Sequence, residues 1–113
     1  LTPELRRNIE ERGAEMVAKL KALQEELGGA ICKVQGTGLL ISAELDPRRY
    51  KSYGAESSEE YMRMHGVNVV HGGQNALRYT PGFGLTGKEV DLMVDATRQA
   101  LLHGPVKVES EAA

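Results

Sequence analysis

The last third of the sequence reads as a short strand, a chain breaker and a capped helix, and this succession constrains the fold most strongly. Apolar and polar side chains alternate over residues 76–80, which is typical of a half-buried strand, and Pro81 ends the alternation. Thr86 and Glu89 then have the spacing of a capping box, in which each side chain accepts a hydrogen bond from a backbone amide near the other residue. A strand followed closely by such a helix predicts a sheet covered by helices. The apolar stripe that we expect this helix to bury consists of Val90, Met93, Val94, Thr97 and Leu101.

The first quarter of the chain predicts one long amphipathic helix. Thr2 has the character of an N-cap, Pro3 suits the first helical position, and Gly28 with Gly29 ends the pattern. A helix of this length suits an element laid across a sheet, or a connection between two domains, better than a short bundle helix. Its apolar stripe, interrupted at Gly13, consists of Leu5, Ile9, Met16, Val17, Leu20, Leu23 and Leu27.

Two strands with a tight connection follow this helix. We expect residues 30–35 to form the first strand and residues 39–45 the second, joined through Gly36-Thr37-Gly38 as an antiparallel hairpin. The second strand carries apolar residues at every other position, which predicts that this side faces the core. Its core-facing residues are expected to be Leu39, Ile41, Ala43 and Leu45.

The middle of the chain predicts a loop, a short helix and a further strand. Residues 46–57 are polar, show no sustained period and contain several turn formers, so we expect a surface loop. Ser57 or Ser58 is expected to cap a short helix. Residues 67–70 predict a β-branched strand, and residues 71–74 predict the turn into the strand that follows.

The order of these elements predicts an α/β (α+β) sandwich, in which a small, mostly antiparallel sheet has helices packed on one face. A chain of 113 residues has the size of one domain. We expect residues 1–104 to form this domain and residues 105–113 to be a frayed tail. The sequence begins with Leu1 rather than Met, and we expect it to be a piece of a longer protein.

Composition and charge make several classes of partner unsuitable. A formal net charge of -2 offers no electrostatic reason to bind nucleic acid or an anionic membrane. No apolar run reaches the length of a membrane span or of a secretory signal, and a single Cys32 leaves no internal disulfide, so we expect a cytoplasmic protein. Arg48, Arg49 and Lys51 form a small basic group, which in an acidic domain is interpreted as a solvated loop.

Most residues that could carry chemistry have an ordinary structural explanation. His65 and His103 each precede a glycine at a predicted helix end, and His71 lies in a glycine-rich turn without nearby partners, so no metal site is predicted. Cys32 lies in an apolar strand without a neighbouring base, which predicts a buried structural thiol rather than a nucleophile. Gly36-Thr37-Gly38 is too short for a phosphate-binding loop and favours a tight hairpin.

Arg78 is the residue that most merits a functional interpretation. It alternates onto the polar face of its strand, close to the point where Pro81 ends it. A guanidinium group can bind a carboxylate through two parallel hydrogen bonds, which suits the recognition of amino acids. From the residues alone, an arginine that pairs with a nearby glutamate or caps backbone carbonyl groups is the favoured alternative.

The pattern Leu-Arg-Tyr-Thr-Pro at residues 77–81, followed by Leu85-Thr86 and Glu89, resembles the C-terminal segment of class III pyridoxal-phosphate aminotransferases. The upstream run Lys-Val-Gln-Gly-Thr-Gly-Leu-Leu at residues 33–40 shares the resemblance, which is strongest to ornithine and acetylornithine aminotransferases and extends over most of residues 1–102. It implies the small C-terminal domain of a fold type I enzyme. The reaction implied is amino-group transfer between an amino acid or ω-amine and a 2-oxo acid.

The resemblance also implies that this segment helps to bind the substrate while a preceding domain holds the cofactor. Arg78 matches the family arginine that helps to hold the substrate carboxylate. Pyridoxal 5'-phosphate, its Schiff-base lysine and its phosphate-binding residues belong to the large domain that precedes this segment in the family. None of the lysines here lies at a position suited to the Schiff base, so the chain alone is expected to hold no cofactor and to be inactive. The family implies a homodimer with its active site at the subunit interface.

The sequence departs from the family pattern at several positions. Gln35 replaces a common arginine, Gly82-Phe83 replaces proline and leucine, and the loop of residues 46–57 is longer than usual, which affects substrate preference more than fold. An aminomutase or racemase on the same scaffold stays open. Two alternatives outside catalysis are a free-standing module that binds a small carboxylate at Arg78, and a dimerisation domain built on the long first helix.

Overall fold

The computed structural model describes residues 2–72, 74–82 and 84–107, without the side chain of His71. Helices and strands occur in the predicted order. The long first helix ends at the predicted glycines, and Thr2 Oγ1 accepts a hydrogen bond from the Leu5 amide at its start. The elements are α1 Pro3–Leu27, β1 Ile31–Thr37, β2 Leu40–Leu45, α2 Ser58–Met64, β3 Val70–Gly72, β4 Ala76–Tyr79 and α3 Gly87–His103.

The four strands form one sheet in the order β1-β2-β4-β3, and every neighbouring pair is antiparallel. The hairpin of β1 and β2 is confirmed, although Gly36 and Thr37 belong to β1, so that only Gly38 and Leu39 connect the two strands. β2 and β4 are central, and Arg78 of β4 lies opposite Ser42 of β2. The predicted sandwich with a small antiparallel sheet is confirmed.

The core lies between one face of the sheet and the helices. Along β2 the side chains of Ile41, Ala43 and Leu45 are buried while Leu40 is exposed, as the alternation predicts. α1 packs on β1 and β2, and α3 packs on α1 and α2. The buried apolar residues of the helices are Met16, Leu20, Leu23, Met62, Val90, Val94, Ala100 and Leu101. Burial of each large aliphatic side chain in this way stabilises the fold by about 1.5–3 kcal/mol relative to its exposure to water.

Gly13 of α1 lies against the turn of the hairpin. A Cβ atom built on Gly13 would lie 2.0 Å from the carbonyl oxygen of Gly38. Gly38 itself has a φ of 59°, which a glycine adopts without strain. The interruption of the apolar stripe at Gly13 is therefore the point where helix and turn touch. Leu5, which was predicted to belong to the stripe, is 36% exposed.

The segment of residues 46–57 is not the plain surface loop that its composition predicts. Tyr50 is only 2% exposed, and its hydroxyl group donates a hydrogen bond of 3.0 Å to the carbonyl oxygen of Leu101 in α3. Asn75, at a φ of 58°, accepts a bond from the Ser52 amide through Oδ1. The polar composition misled the prediction because a buried tyrosine needs a partner for its hydroxyl group, and that partner lies far along the chain. Ser57 caps α2 as predicted, by accepting from the Glu60 amide.

The strand predicted at residues 67–70 is displaced towards the C-terminus. The Val67 amide donates to the carbonyl oxygen of Met62 at the end of α2, which withdraws this residue from the sheet. Pairing therefore starts only at Val70 and includes residues 71–72, which were predicted to belong to a turn. The valine run indicated a strand correctly, but the end of α2 decided where it begins.

Within the predicted tail of residues 105–113, residues 108–113 lie outside the described part of the chain. Lys107 donates a backbone hydrogen bond of 2.7 Å to the carbonyl oxygen of Arg49, and its Nζ donates to that of Pro47. This end of the described chain thus contacts the segment that contains Tyr50. None of the helices in the described residues has both the length and the apolar character needed to cross a membrane.

Candidate functional site

Arg78 lies on the open face of the sheet. Its neighbours Leu77 and Tyr79 are 1% and 0% exposed, whereas Arg78 is exposed, because successive side chains of a strand point to opposite faces. Two strands flank it, with Ser42 directly opposite on β2 and Val70 directly opposite on β3. The helices cover the other face, so the guanidinium group points away from the core.

The side chain of Arg78 lies across Gly72 of β3. A Cβ atom built on Gly72 would lie 2.9 Å from Arg78 Nε, so any larger residue would displace the arginine. Among the atoms that the structure describes, none forms a hydrogen bond or an ion pair with the guanidinium group. The pairing with a glutamate, or with backbone carbonyl groups, that the residues alone favoured is therefore not found in this part of the chain.

An open depression of about 360 Å³ lies beside Arg78 on the same face. Arg78 is the charged member of its lining, and the other side chains are neutral. Sequence reasoning treated Gln35 only as a departure from a family pattern and did not single out Ser42. Both occupy polar positions of alternating strands, but only the strand register brings them to Arg78. The lining residues are Gln35, Gly36, Thr37, Leu40, Ile41, Ser42 and Arg78.

A second depression, of about 390 Å³, lies beyond the end of β4. Pro81, Leu85 and Met93 contribute to its walls, and Glu89 is the charged residue among its described lining. A carboxylate group would meet repulsion there rather than a cation. The depression beside Arg78 is thus the better candidate for binding an anion.

A buried hydrogen bond holds the strand of Arg78 against α3. Tyr79 Oη and Thr97 Oγ1 are 2.6 Å apart, and Thr97 Oγ1 also donates to the Met93 carbonyl oxygen at 2.9 Å. Burial raises the pKa of Tyr79, an effect that the Thr97 hydroxyl group partly offsets, so the tyrosine stays neutral and can donate. The sequence pattern placed Thr97 in an apolar stripe. A hydroxyl group at a buried position needs a hydrogen-bond partner, and this was the only sign of the contact in the sequence.

The other residues considered as sites are His65, His71 and the helix start at Thr86. His65 Nδ1 bonds to the Tyr61 carbonyl oxygen at 2.8 Å, and the two rings stack. The side chain of His71 lies outside the described residues. No group of three or more His, Cys, Asp or Glu residues that could hold a metal ion occurs in the part of the chain that the structure describes. Thr86 and Glu89 form the predicted capping box, which occupies the amides at the start of α3.

The prediction of a buried thiol at Cys32 is wrong, because this side chain is exposed. A register shift between Ile31 and Lys33 places an extra residue in β1, so that Ile31 and Val34 are buried and the two residues between them are exposed. β1 is also an edge strand, which leaves one of its sides uncovered.

A family model described as "Aminotransferase class-III" matches residues 1–101. The chain belongs to the class III aminotransferase family. This class III chain is 28% identical over 89 residues to an acetylornithine aminotransferase of Xylella fastidiosa, with 77% of this chain and 21% of that protein covered. An acetylornithine aminotransferase of Xanthomonas campestris is 29% identical over 89 residues, with 79% and 21% covered.

Solved structures support the same fold for this class III chain. N-acetylornithine aminotransferase from Stenotrophomonas maltophilia superposes with a TM-score of 0.76 at 23% identity, over 89% of this chain and 27% of that one. Plasmodium falciparum ornithine delta-aminotransferase gives a TM-score of 0.76 at 18% identity, over 88% and 24%. The chain thus spans about a fifth of the length of the curated relatives that it matches.

The class III family uses pyridoxal phosphate, and the lysines of this chain do not fit that cofactor. Lys19 forms ion pairs with Glu15 and Asp91 on the helix surface, and Lys51 Nζ donates to the Ala55 carbonyl oxygen. The other lysines, Lys21, Lys33, Lys88 and Lys107, are exposed. A lysine that forms a Schiff base needs a sheltered pocket in which its amine is often neutral. No step of the cofactor chemistry can therefore be assigned to a lysine of this chain.

Proposed function

We propose that this chain is the small C-terminal domain of a longer pyridoxal-phosphate-dependent aminotransferase, in which Arg78 binds the carboxylate group of the substrate. The main support is the position of Arg78, exposed on the open sheet face beside a depression whose other lining residues are uncharged. A guanidinium group without a partner among the described residues is available to a carboxylate. Membership of the class III family supports the reaction class.

The remaining parts of the active site come from outside this chain. A preceding large domain supplies the cofactor, its lysine and the other wall of the active site, since the lysines here are solvent-facing or ion-paired. The substrates are an amino acid or ω-amine and a 2-oxo acid, and relatives named acetylornithine aminotransferase support this class. We further propose a cytoplasmic homodimer. The isolated domain of residues 1–104 then has no transaminase activity.

The test is steady-state transamination by the complete enzyme that contains this chain. Arg78→Ala is expected to lower kcat/KM by about 10- to 100-fold, because a charge-assisted hydrogen bond is worth about 1.5–3 kcal/mol. Arg78→Lys keeps the charge but not the two-pronged geometry, and should recover only part of the loss. Arg48→Ala is the matched control, because Arg48 lies on the distant loop with its side chain 84% exposed. Equal effects of Arg78→Ala and Arg48→Ala would contradict the proposal.

A non-catalytic carboxylate-binding module is the second candidate, and the unsuitable lysines favour it. The module hypothesis requires the coding region to start immediately before residue 1. A preceding open reading frame of a few hundred residues with a sheltered lysine would support the enzyme instead. Absorbance of an internal aldimine in the purified complete protein separates the two candidates, because the module has no lysine that can form one.

A further inference from the structure

Three polar side chains form a row across the open face of the sheet. Gln35 of β1 lies directly opposite Ser42 of β2, and Ser42 lies directly opposite Arg78 of β4. Residues that are directly opposite in neighbouring strands point to the same face, so all three side chains stand side by side. Each also lines the depression of about 360 Å³. With strands spaced about 4.8 Å apart, the row spans roughly 10 Å, which suits a ligand of four or five carbon atoms.

The charge of this row is uneven. Arg78 at one end is positive, whereas Ser42 and Gln35 are neutral and offer both donors and acceptors. In the next row of the same face Lys33 lies directly opposite Glu44, so that row carries one positive and one negative residue. A ligand along the row therefore meets one cation at the Arg78 end and uncharged hydrogen-bonding groups elsewhere. A second carboxylate at the Gln35 end would meet a neutral amide rather than a cation of the row, and a hydrogen bond to a neutral group is weaker than one to a charged group.

We propose that Gln35 and Ser42 determine specificity beside Arg78, and that the row selects a ligand with one carboxylate group and a nearby uncharged amide, hydroxyl or carbonyl group over a dicarboxylate. This inference rests on the proposed role of Arg78 in binding a carboxylate. The guanidinium group holds the carboxylate, Ser42 lies at the middle of the ligand, and the Gln35 amide pairs with the uncharged group. Neither neutral residue takes part in the transfer of the amino group.

The test compares succinamate with succinate, which differ only in that an amide replaces one carboxylate. Binding of each probe to the complete protein that contains this chain is measured by isothermal titration calorimetry, with uncharged propionamide as a third probe. We expect succinamate to bind about threefold or more tightly than succinate, and propionamide not to bind. Gln35→Arg supplies a second cation and should reverse the preference. Ser42→Ala should weaken succinamate binding by about 2- to 10-fold, the effect of one neutral hydrogen bond.

Gln74→Arg is the matched control, because it adds the same charge at an exposed position outside the depression and should leave the preference unchanged. Each variant is compared after its circular dichroism spectrum shows the wild-type fold. An unchanged ratio in both Gln35→Arg and Ser42→Ala overturns this inference, and so does the absence of saturable binding of every probe. If the ratio is unchanged in both variants but Arg78→Ala abolishes succinamate binding, the role of Arg78 stands without that of Gln35 and Ser42. Undiminished binding in Arg78→Ala overturns the proposed role of the arginine itself.

Discussion

Tyr79 Oη lies 2.6 Å from Thr97 Oγ1, and this buried contact joins the central strand β4 to α3. Both side chains are 0% exposed, so neither hydroxyl group can exchange this bond for one to water. Thr97 Oγ1 has a second partner in the Met93 carbonyl oxygen, whereas the Tyr79 hydroxyl group depends on Thr97. The two partners should therefore respond differently to mutation.

Thr97→Val should destabilise the chain more than Tyr79→Phe does. The valine leaves a buried tyrosine hydroxyl group unpaired, at a cost of about 1–3 kcal/mol, whereas the phenylalanine removes a bond worth about 0.5–1.5 kcal/mol. The double variant should lose less than the sum of the two single losses, because no unpaired hydroxyl group remains. Urea unfolding of the four proteins measures these free energies. Additive losses would show that the two groups do not act as a pair.

The same tyrosine should make the chain sensitive to alkaline pH. Burial raises the pKa of Tyr79 above its ordinary value of 10.0, so the folded state binds this proton more tightly than the unfolded state. The resulting stability is fully present below pH 10 and is lost as the pH rises from there towards the folded-state pKa. The free energy of unfolding of Tyr79→Phe should therefore fall less steeply above pH 10 than that of the wild type. Parallel curves for the two proteins would refute this assignment.

Gly13→Ala should destabilise the protein although alanine favours helices. Alanine gains up to about 1 kcal/mol of helix propensity over glycine, but its Cβ would lie 2.0 Å from the Gly38 carbonyl oxygen. Separating α1 from the hairpin turn should cost about 1–3 kcal/mol in excess of that gain. Ala14→Gly, at the exposed neighbouring position, is the control and should cost only the propensity of about 1 kcal/mol. A melting temperature that is higher in Gly13→Ala than in the wild type would contradict the close contact.

Asn75 in the β3–β4 connection should tolerate substitution less well than the preceding residue Gln74. Its Nδ2 donates to the carbonyl oxygens of Leu45 and Tyr50 at 3.2 and 2.9 Å, and its Oδ1 accepts from the Ser52 amide at 2.9 Å. Asn75→Gly keeps the φ of 58° without strain but loses these bonds, at about 1 kcal/mol each. Asn75→Ala adds about 1 kcal/mol of backbone strain.

The order of stability expected from equilibrium unfolding is wild type, then Asn75→Gly, then Asn75→Ala. Gln74→Ala, at the exposed preceding position, should remain within about 0.5 kcal/mol of the wild type. If Asn75→Gly were as stable as the wild type, the side-chain bonds to the segment that contains Tyr50 would contribute nothing.

The ends of the long helices could be read from the sequence because their signals are local. Thr2 and Thr86 accept bonds from amides three positions later, and Gly28 ends α1 with a φ of 53°. Alternation within β2 predicted its buried face in the same way. Arg78 was assigned to a polar strand position for this reason too. Such patterns depend on contacts within a few residues, which any fold containing them must satisfy.

Only the tertiary structure decided which of these elements meet. The bulge that exposes Cys32, the burial of Tyr50 beneath α3 and the later start of β3 all depend on partners far along the chain. The alignment of Gln35 and Ser42 with Arg78 likewise follows from strand order and register. Moving a strand by one residue would send each of its side chains to the opposite face without altering local preferences. The sequence by itself therefore determined the elements and their polar faces, while packing of the whole chain determined the candidate site.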